Sequence, residues 1–142
     1  MGSIPSISTT VRGELSQIEP IVRAALAAEG FGILTEVDMA GVLKAKIGVE
    51  RGPLKILGAC NPQLANQAIE IDASAALLLP CNVVLEQING RDGPLVYVAA
   101  ADPRMLLPGE SHAPVTIEAA ARLEAAIRSV AAAALKLQPT AD

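Results

Sequence analysis

The chain has 142 residues, a formal net charge of −4, 51% hydrophobic and only 1% aromatic residues, with one Phe, one Tyr and no Trp. That length fits one domain, here residues 1–142 with a core over about 7–137, large enough to fold without a disulfide or metal. The composition excludes an aromatic stacking platform for single-stranded nucleic acid, and no Lys/Arg run could track a phosphate backbone or an acidic membrane surface.

In chain order, residues 7–12 are rich in β-formers and predict a first strand. Ser16-Gln17-Ile18-Glu19 has the pattern of a capping box. A helix is expected after it, with Ile18, Ile21, Val22 and Ala25 on one face and Gly30 as its terminating glycine. Residues 31–37 predict a second strand. Asp38 is placed to cap a short helix through Met39, Leu43 and Ile47, closed by Gly48.

Leu54–Cys60 reads as a third strand, with Asn61 as N-cap and Pro62 as first residue of the next helix. That helix should turn Leu64, Ala65, Ala68 and Ile69 inward and end near Asp72. Residues 77–87 are apolar on both faces, as in a doubly covered strand, so one face awaits helices and the other a ligand or a second subunit. The glycine-rich stretch 89–93 predicts a hairpin into a strand over 95–100. Asp102-Pro103 opens a short helical turn, 107–114 is a loop, and an Ala-rich helix over about 116–137 closes the chain. The expected order is β-α-β-(α)-β-α-β-β-α, an α+β domain rather than a doubly wound one.

The only two cysteines lie in matched contexts, Ala59-Cys60-Asn61-Pro62 and Leu79-Pro80-Cys81-Asn82. Cys60 precedes a predicted helix N-terminus, where partial positive charge favours the thiolate. Period-two alternation puts Cys81, Val83 and Leu85 on one strand face and Asn82, Val84 and Glu86 on the other. Pro80 predicts an edge position, a bulge or a distortion there. If the two strands are neighbours, the thiols could bind Cu(I) or contribute to a zinc site that needs two further ligands, form a disulfide worth roughly 3 kcal/mol, or simply pack as small apolar groups. Lys55, Asn61 and Asn82 complete the set of candidate ligand-binding residues, with Cys60 and Cys81 the candidate metal ligands.

Glu36 and Asp38 share a strand face and could do acid–base work or hold a cation; a solvated strand end and a helix cap explain them as well. Lys55 could bind an anion or pair with Glu36 or Glu86; a surface lysine that snorkels out of an apolar strand explains it as well. His112, the only histidine, lies in a Pro/Gly loop beside Glu110, and a catalytic Cys–His pair would need it within hydrogen-bond reach of a thiol. The N-terminus lacks the basic and apolar regions of a signal peptide and loosely matches an N-myristoylation pattern at Met1-Gly2. The apolar segment 117–137 carries Arg122, Glu124, Arg128 and Lys136, too many charges for a membrane span. A soluble, cytoplasmic protein is expected, in a compartment that keeps thiols reduced.

Gly30-Phe31-Gly32-Ile33-Leu34-Thr35-Glu36-Val37-Asp38, Lys55 to Pro62 and Leu77 to Val84, with Asp102-Pro103 and Met105-Leu106, resemble the conserved blocks of the bacterial and archaeal family called domain of unknown function 302. The resemblance spans about residues 7–137. It implies a curved antiparallel sheet with helices on one side, of the TATA-box-binding-protein-like kind, and dimers. It implies no nucleic-acid binding and supplies no catalytic residues. Leu54 stands where the family pattern has an aromatic residue. Three functions fit this reading: a homodimeric binding module with a Cys/Asn site for a small molecule, a haem-like or sulfur-containing ligand or a soft metal; a thiol redox or sulfur carrier using Cys60 with Cys81 resolving; and a structural accessory dimer.

Overall fold

A computed structural model describes residues 3–137; Met1 and Gly2, on which the myristoylation pattern rests, lie outside the described residues. The elements are β1 (Ser6–Arg12), α1 (Leu15–Ala28), β2 (Gly32–Asp38), α2 (Met39–Ile47), β3 (Leu54–Cys60), α3 (Pro62–Ile71), a 3-10 helix (Ala73–Leu78), β4 (Cys81–Gly90), β5 (Gly93–Ala101), α4 (Pro103–Leu106) and α5 (Ala113–Leu135). The strands form one open antiparallel sheet in the order β1-β5-β4-β3-β2, with helices on one side. The α+β class and the expected order hold.

The sheet's two faces follow from period two. Leu57, Val83 and Ala100 are paired across β3, β4 and β5 and are fully buried under the helices. Ile18, Val22 and Leu26 of α1, and Leu123, Ala126 and Val130 of α5, meet them in a single core. Each of the larger aliphatic side chains contributes roughly 2 kcal/mol on burial, so a core nearly free of aromatics is built by number. The next register row, Val37, Ile56, Val84 and Ala99, points to the other face.

Local signals fix the element ends. The Gly30 N–H donates to the Ala27 carbonyl at 3.0 Å and the Phe31 N–H to the Leu26 carbonyl at 2.9 Å, with Gly30 at φ +86°, so α1 ends in a Schellman motif. Asp38 Oδ1 accepts the Gly41 N–H at 3.0 Å and starts α2, which Gly48 closes at φ +69°.

Five expectations are corrected. Helix α1 begins at Leu15, not after a box at Ser16–Glu19: Gln17 Oε1 accepts the Glu14 N–H at 3.1 Å, and Gln87 of β4 accepts the Leu15 N–H at 2.9 Å. Leu77 and Leu78 belong to the 3-10 helix and β4 starts only at Cys81. The cause is Asp72, whose Oδ1 accepts the Ser74 N–H at 2.9 Å and turns the chain back into a helix. Pro80, joined to Leu79 by a cis peptide bond, lies just outside β4, which is the central strand rather than an edge. Helix α5 begins at Ala113, because Pro114 lacks only an N–H that the first turn leaves unused. Ile69 of α3 is 39% exposed rather than inward.

Candidate functional site

Cys81 opens β4 directly opposite Ala59 of β3, so the second cysteine lies one register step from Cys60. Both thiols are free and partly buried. The residues Cys60 and Cys81 are both among those lining one cavity of about 50 Å³. Phe31, Leu64, Ala65, Ala68 and Leu79 form one part of its wall, and Pro103, Val115, Thr116 and Ala119 the other. The wall is almost wholly apolar.

Asn61 frames this cavity from the β3–α3 junction. Its Oδ1 accepts the Leu64 N–H at 3.3 Å, the N-cap of α3, and its Nδ2 donates to the Glu29 carbonyl at 3.5 Å. Arg122 of α5 donates to the same carbonyl at 3.2 Å and is itself held by Glu118 at 2.9 Å. A Cβ at Gly30 would lie 2.9 Å from Asn61 Nδ2, so glycine there serves both the positive φ and the approach of Asn61. Both functional atoms of Asn61 are thus spent on positioning the end of α1 and the start of α3.

Burial raises the pKa of both thiols, and the neighbouring Cys60 raises that of Cys81 further. This runs against the expectation of a Cys60 thiolate, because removal from water disfavours the charged form. Both thiols are therefore held in the protonated form at neutral pH.

A family model described as domain of unknown function DUF302 matches residues 7–132. The chain belongs to that family. It is similar to the crystal structure of an uncharacterized conserved protein DUF302 from Bacillus stearothermophilus, at 23% identity and a TM-score of 0.81, over 90% of this chain and 99% of that one. At that identity the likeness shows the fold alone. No curated protein matches the chain.

The other candidate residues of this DUF302 chain lie elsewhere. Asn82 alternates away from Cys81 onto the open sheet face, beside Val84, Tyr97, Ala99 and Ser8. Lys55, at the far end of β3, donates to Glu19 of α1 at 2.9 Å and to Glu36 of β2 at 2.6 Å. Arg23 bonds the same two carboxylates at 3.0 and 2.8 Å, which closes a ring of alternating charge. The ring raises the pKa of Lys55, chiefly through its hydrogen bond to Glu36, and lowers that of Glu36, chiefly through Lys55. Glu36 and Asp38 are thereby an ion-pair partner and a helix cap. His112 is buried at the start of α5, its Nδ1 has no partner among the described residues, and it is not among the residues lining the cysteine cavity.

The cavity's helical wall was beyond sequence reasoning. Val115, Thr116 and Ala119 carry the spacing of one helix face, but nothing local tells that this face closes over Cys60 and Cys81. No group of three or more His, Cys, Asp or Glu could hold a metal ion among the described residues. Nor is any described helix long and apolar enough to cross a membrane.

Proposed function

We propose that this chain is a homodimeric binding module of the cytoplasm whose site is the apolar cavity carrying Cys60 and Cys81. The observation behind this reading is convergence: the only two cysteines line one cavity from different strands. A space of about 50 Å³ suits a ligand of very few atoms, which rules against haem within it as it stands. Asn61 shapes the site, while Lys55 and Asn82 act away from it.

A thiol-exchange or sulfur-carrier role, with Cys60 attacking and Cys81 resolving, fits the closeness of the two residues but not their desolvation, which withholds the thiolate that attack requires. The dimer reading rests on the row Val37, Ile56, Val84 and Ala99, an apolar line across four strands on the face without helices. A second copy laid on this row would bury it; Tyr97→Arg, beside it on β5, should then halve the mass seen by light scattering. A monomeric wild type at micromolar concentration would end the dimer reading.

Native mass spectrometry of protein purified without chelator or reductant tests the site. Added non-protein mass, lost when Ala119→Leu fills the cavity, is the expected result. A bare polypeptide mass that Ala119→Leu leaves unchanged would reduce the cysteines to packing groups in a structural dimer.

A further inference from the structure

We propose that the cavity takes the unbranched alkyl end of a longer molecule, a terminal stretch of about two or three carbons, with the rest of the chain outside along Leu78 and Leu77. This rests on the reading of the cavity as a binding site and names the class of its occupant.

The wall sets the chemistry. Phe31, Ala59, Leu64, Val115 and Ala119 are buried in it and carry no polar side-chain atom. The polar groups that border the space are already engaged. Asn61 Oδ1 accepts the Leu64 N–H at 3.3 Å, and its Nδ2 donates to the Glu29 carbonyl at 3.5 Å. Thr116 Oγ1 donates to the Ala113 carbonyl at 3.4 Å. The Val115 and Thr116 N–H groups donate to the His112 carbonyl at 3.0 and 2.9 Å. No Lys, Arg, Asp, Glu or His among the described residues lines the cavity. A charged or hydrogen-bonding group placed there would give up its water and gain no partner. An alkyl group has no such loss and gains by leaving water.

Size sets the shape. The volume of about 50 Å³ is less than the share of two waters in the liquid, at roughly 30 Å³ each. An apolar cavity that holds a benzene ring measures roughly 150 Å³, and pockets for whole ligands begin near roughly 300 Å³. A ring or an entire metabolite is therefore too large, and a thin chain end fits.

The rim sets how the ligand continues. Cys60, Asn61, Ala65, Leu79 and Cys81 are only partly buried, so the space reaches the surface between the turn into α3 and the entry to β4. Leu77 and Leu78 directly precede Leu79 in the chain and are 85% and 39% exposed. They offer apolar surface to the carbons that the cavity cannot hold.

The test is an NMR titration of the methyl groups of Leu64, Val115 and Ala119 with the straight-chain alcohols from ethanol to 1-hexanol, and with cyclohexanol. Affinity should rise about fourfold per carbon while carbons enter the cavity, and by less for each carbon after that. Cyclohexanol, with as many carbons as 1-hexanol, should bind about tenfold more weakly. Ala119→Leu, which fills the cavity, should weaken 1-hexanol about tenfold. Circular dichroism melting identifies a variant that fails to fold, and Ala65→Leu, at the partly buried rim, then decides. Equal binding of 1-hexanol and cyclohexanol, or a loss of less than threefold in a folded filling variant, would overturn the proposal. So would xenon shifting the same methyl groups without any gain along the alcohol series, because the site would then take free small apolar molecules and not a chain end. If no alcohol binds while the purified protein carries a mass that Ala119→Leu displaces, the binding-module reading stands and the alkyl class is wrong.

Discussion

Cys81 stands directly across the β3–β4 ladder from Ala59, which brings the second cysteine one register step from the first. Desolvation raises the pKa of both thiols, and the neighbouring Cys60 raises that of Cys81 further. Alkylation should report this directly. At pH 7 both thiols should react with iodoacetamide more slowly than free cysteine, and Cys81 more slowly than Cys60, with rates that climb as pH rises through the thiol range. Peptide mapping after timed quenching separates the two. Faster reaction than free cysteine at pH 6 at either position would mean that a thiolate forms in the cavity after all.

The same protonation sets the alkaline limb of stability. The folded chain binds the two thiol protons more tightly than the unfolded chain does. The thiol-linked part of stability is therefore complete below the unfolded thiol pKa of about 8.5 and is lost as pH rises through the raised folded values. Between pH 8 and 10 the wild-type Tm should fall more steeply than that of Cys81→Ser, which has no proton to lose there. Lys55 acts on the same side but only near its own higher range, so a window ending at pH 10 isolates the thiols. Parallel Tm curves for the two proteins would contradict the assignment.

Where the decisive chemistry is local, the sequence was readable. Gly30, Asp38 and Asn61-Pro62 each act within four residues of themselves, and each does in the structure what its residue type implies. The run 77–87 was ambiguous because apolar residues serve a buried strand and a 3-10 helix equally; the Asp72–Ser74 cap, outside the run, decided it. Alternation did separate Asn82 from Cys81, yet their shared motif grouped them. Which helix would cover the thiols, and that Glu19 would reach Lys55 from α1, depend on contacts distant in sequence, where local patterns are silent.

Gly58 is the tightest backbone position near the site. A Cβ there would collide with the Thr35 side chain of β2 and lie 2.7 Å from Pro80 Cγ, so β2, β3 and the entry to β4 close together only over a glycine. Gly58→Ala should cost about 2 kcal/mol, as overpacking does. Thr35→Ala in the same chain should recover part of that loss and leave the Pro80 contact to account for the rest. Urea denaturation of the single and double variants measures both. A neutral Gly58→Ala would show that the strands give way there without strain.

The charge ring at the far end of β3 gives the last test. Glu19 and Lys55 are the more enclosed members, with side chains 15% and 26% exposed, and Arg23 and Glu36 complete it toward solvent. Because each cation meets two carboxylates, fixing one side chain serves two ion pairs, which lowers the entropy cost per pair. Lys55→Met keeps the aliphatic stem over the sheet and removes only the charge, so it should destabilise by about 1 kcal/mol, near the upper end for exposed pairs. Added salt should shrink that difference. The acid limb carries a second signature. Glu36 is held below its ordinary pKa mainly by Lys55, so its contribution is present above the unfolded carboxylate pKa of about 4.3 and is lost as pH falls through the lowered folded value. Lys55→Met should therefore differ most from wild type near neutral pH and converge with it in acid. A difference constant from pH 7 to pH 3 would assign the effect of Lys55 to packing and not to its charge.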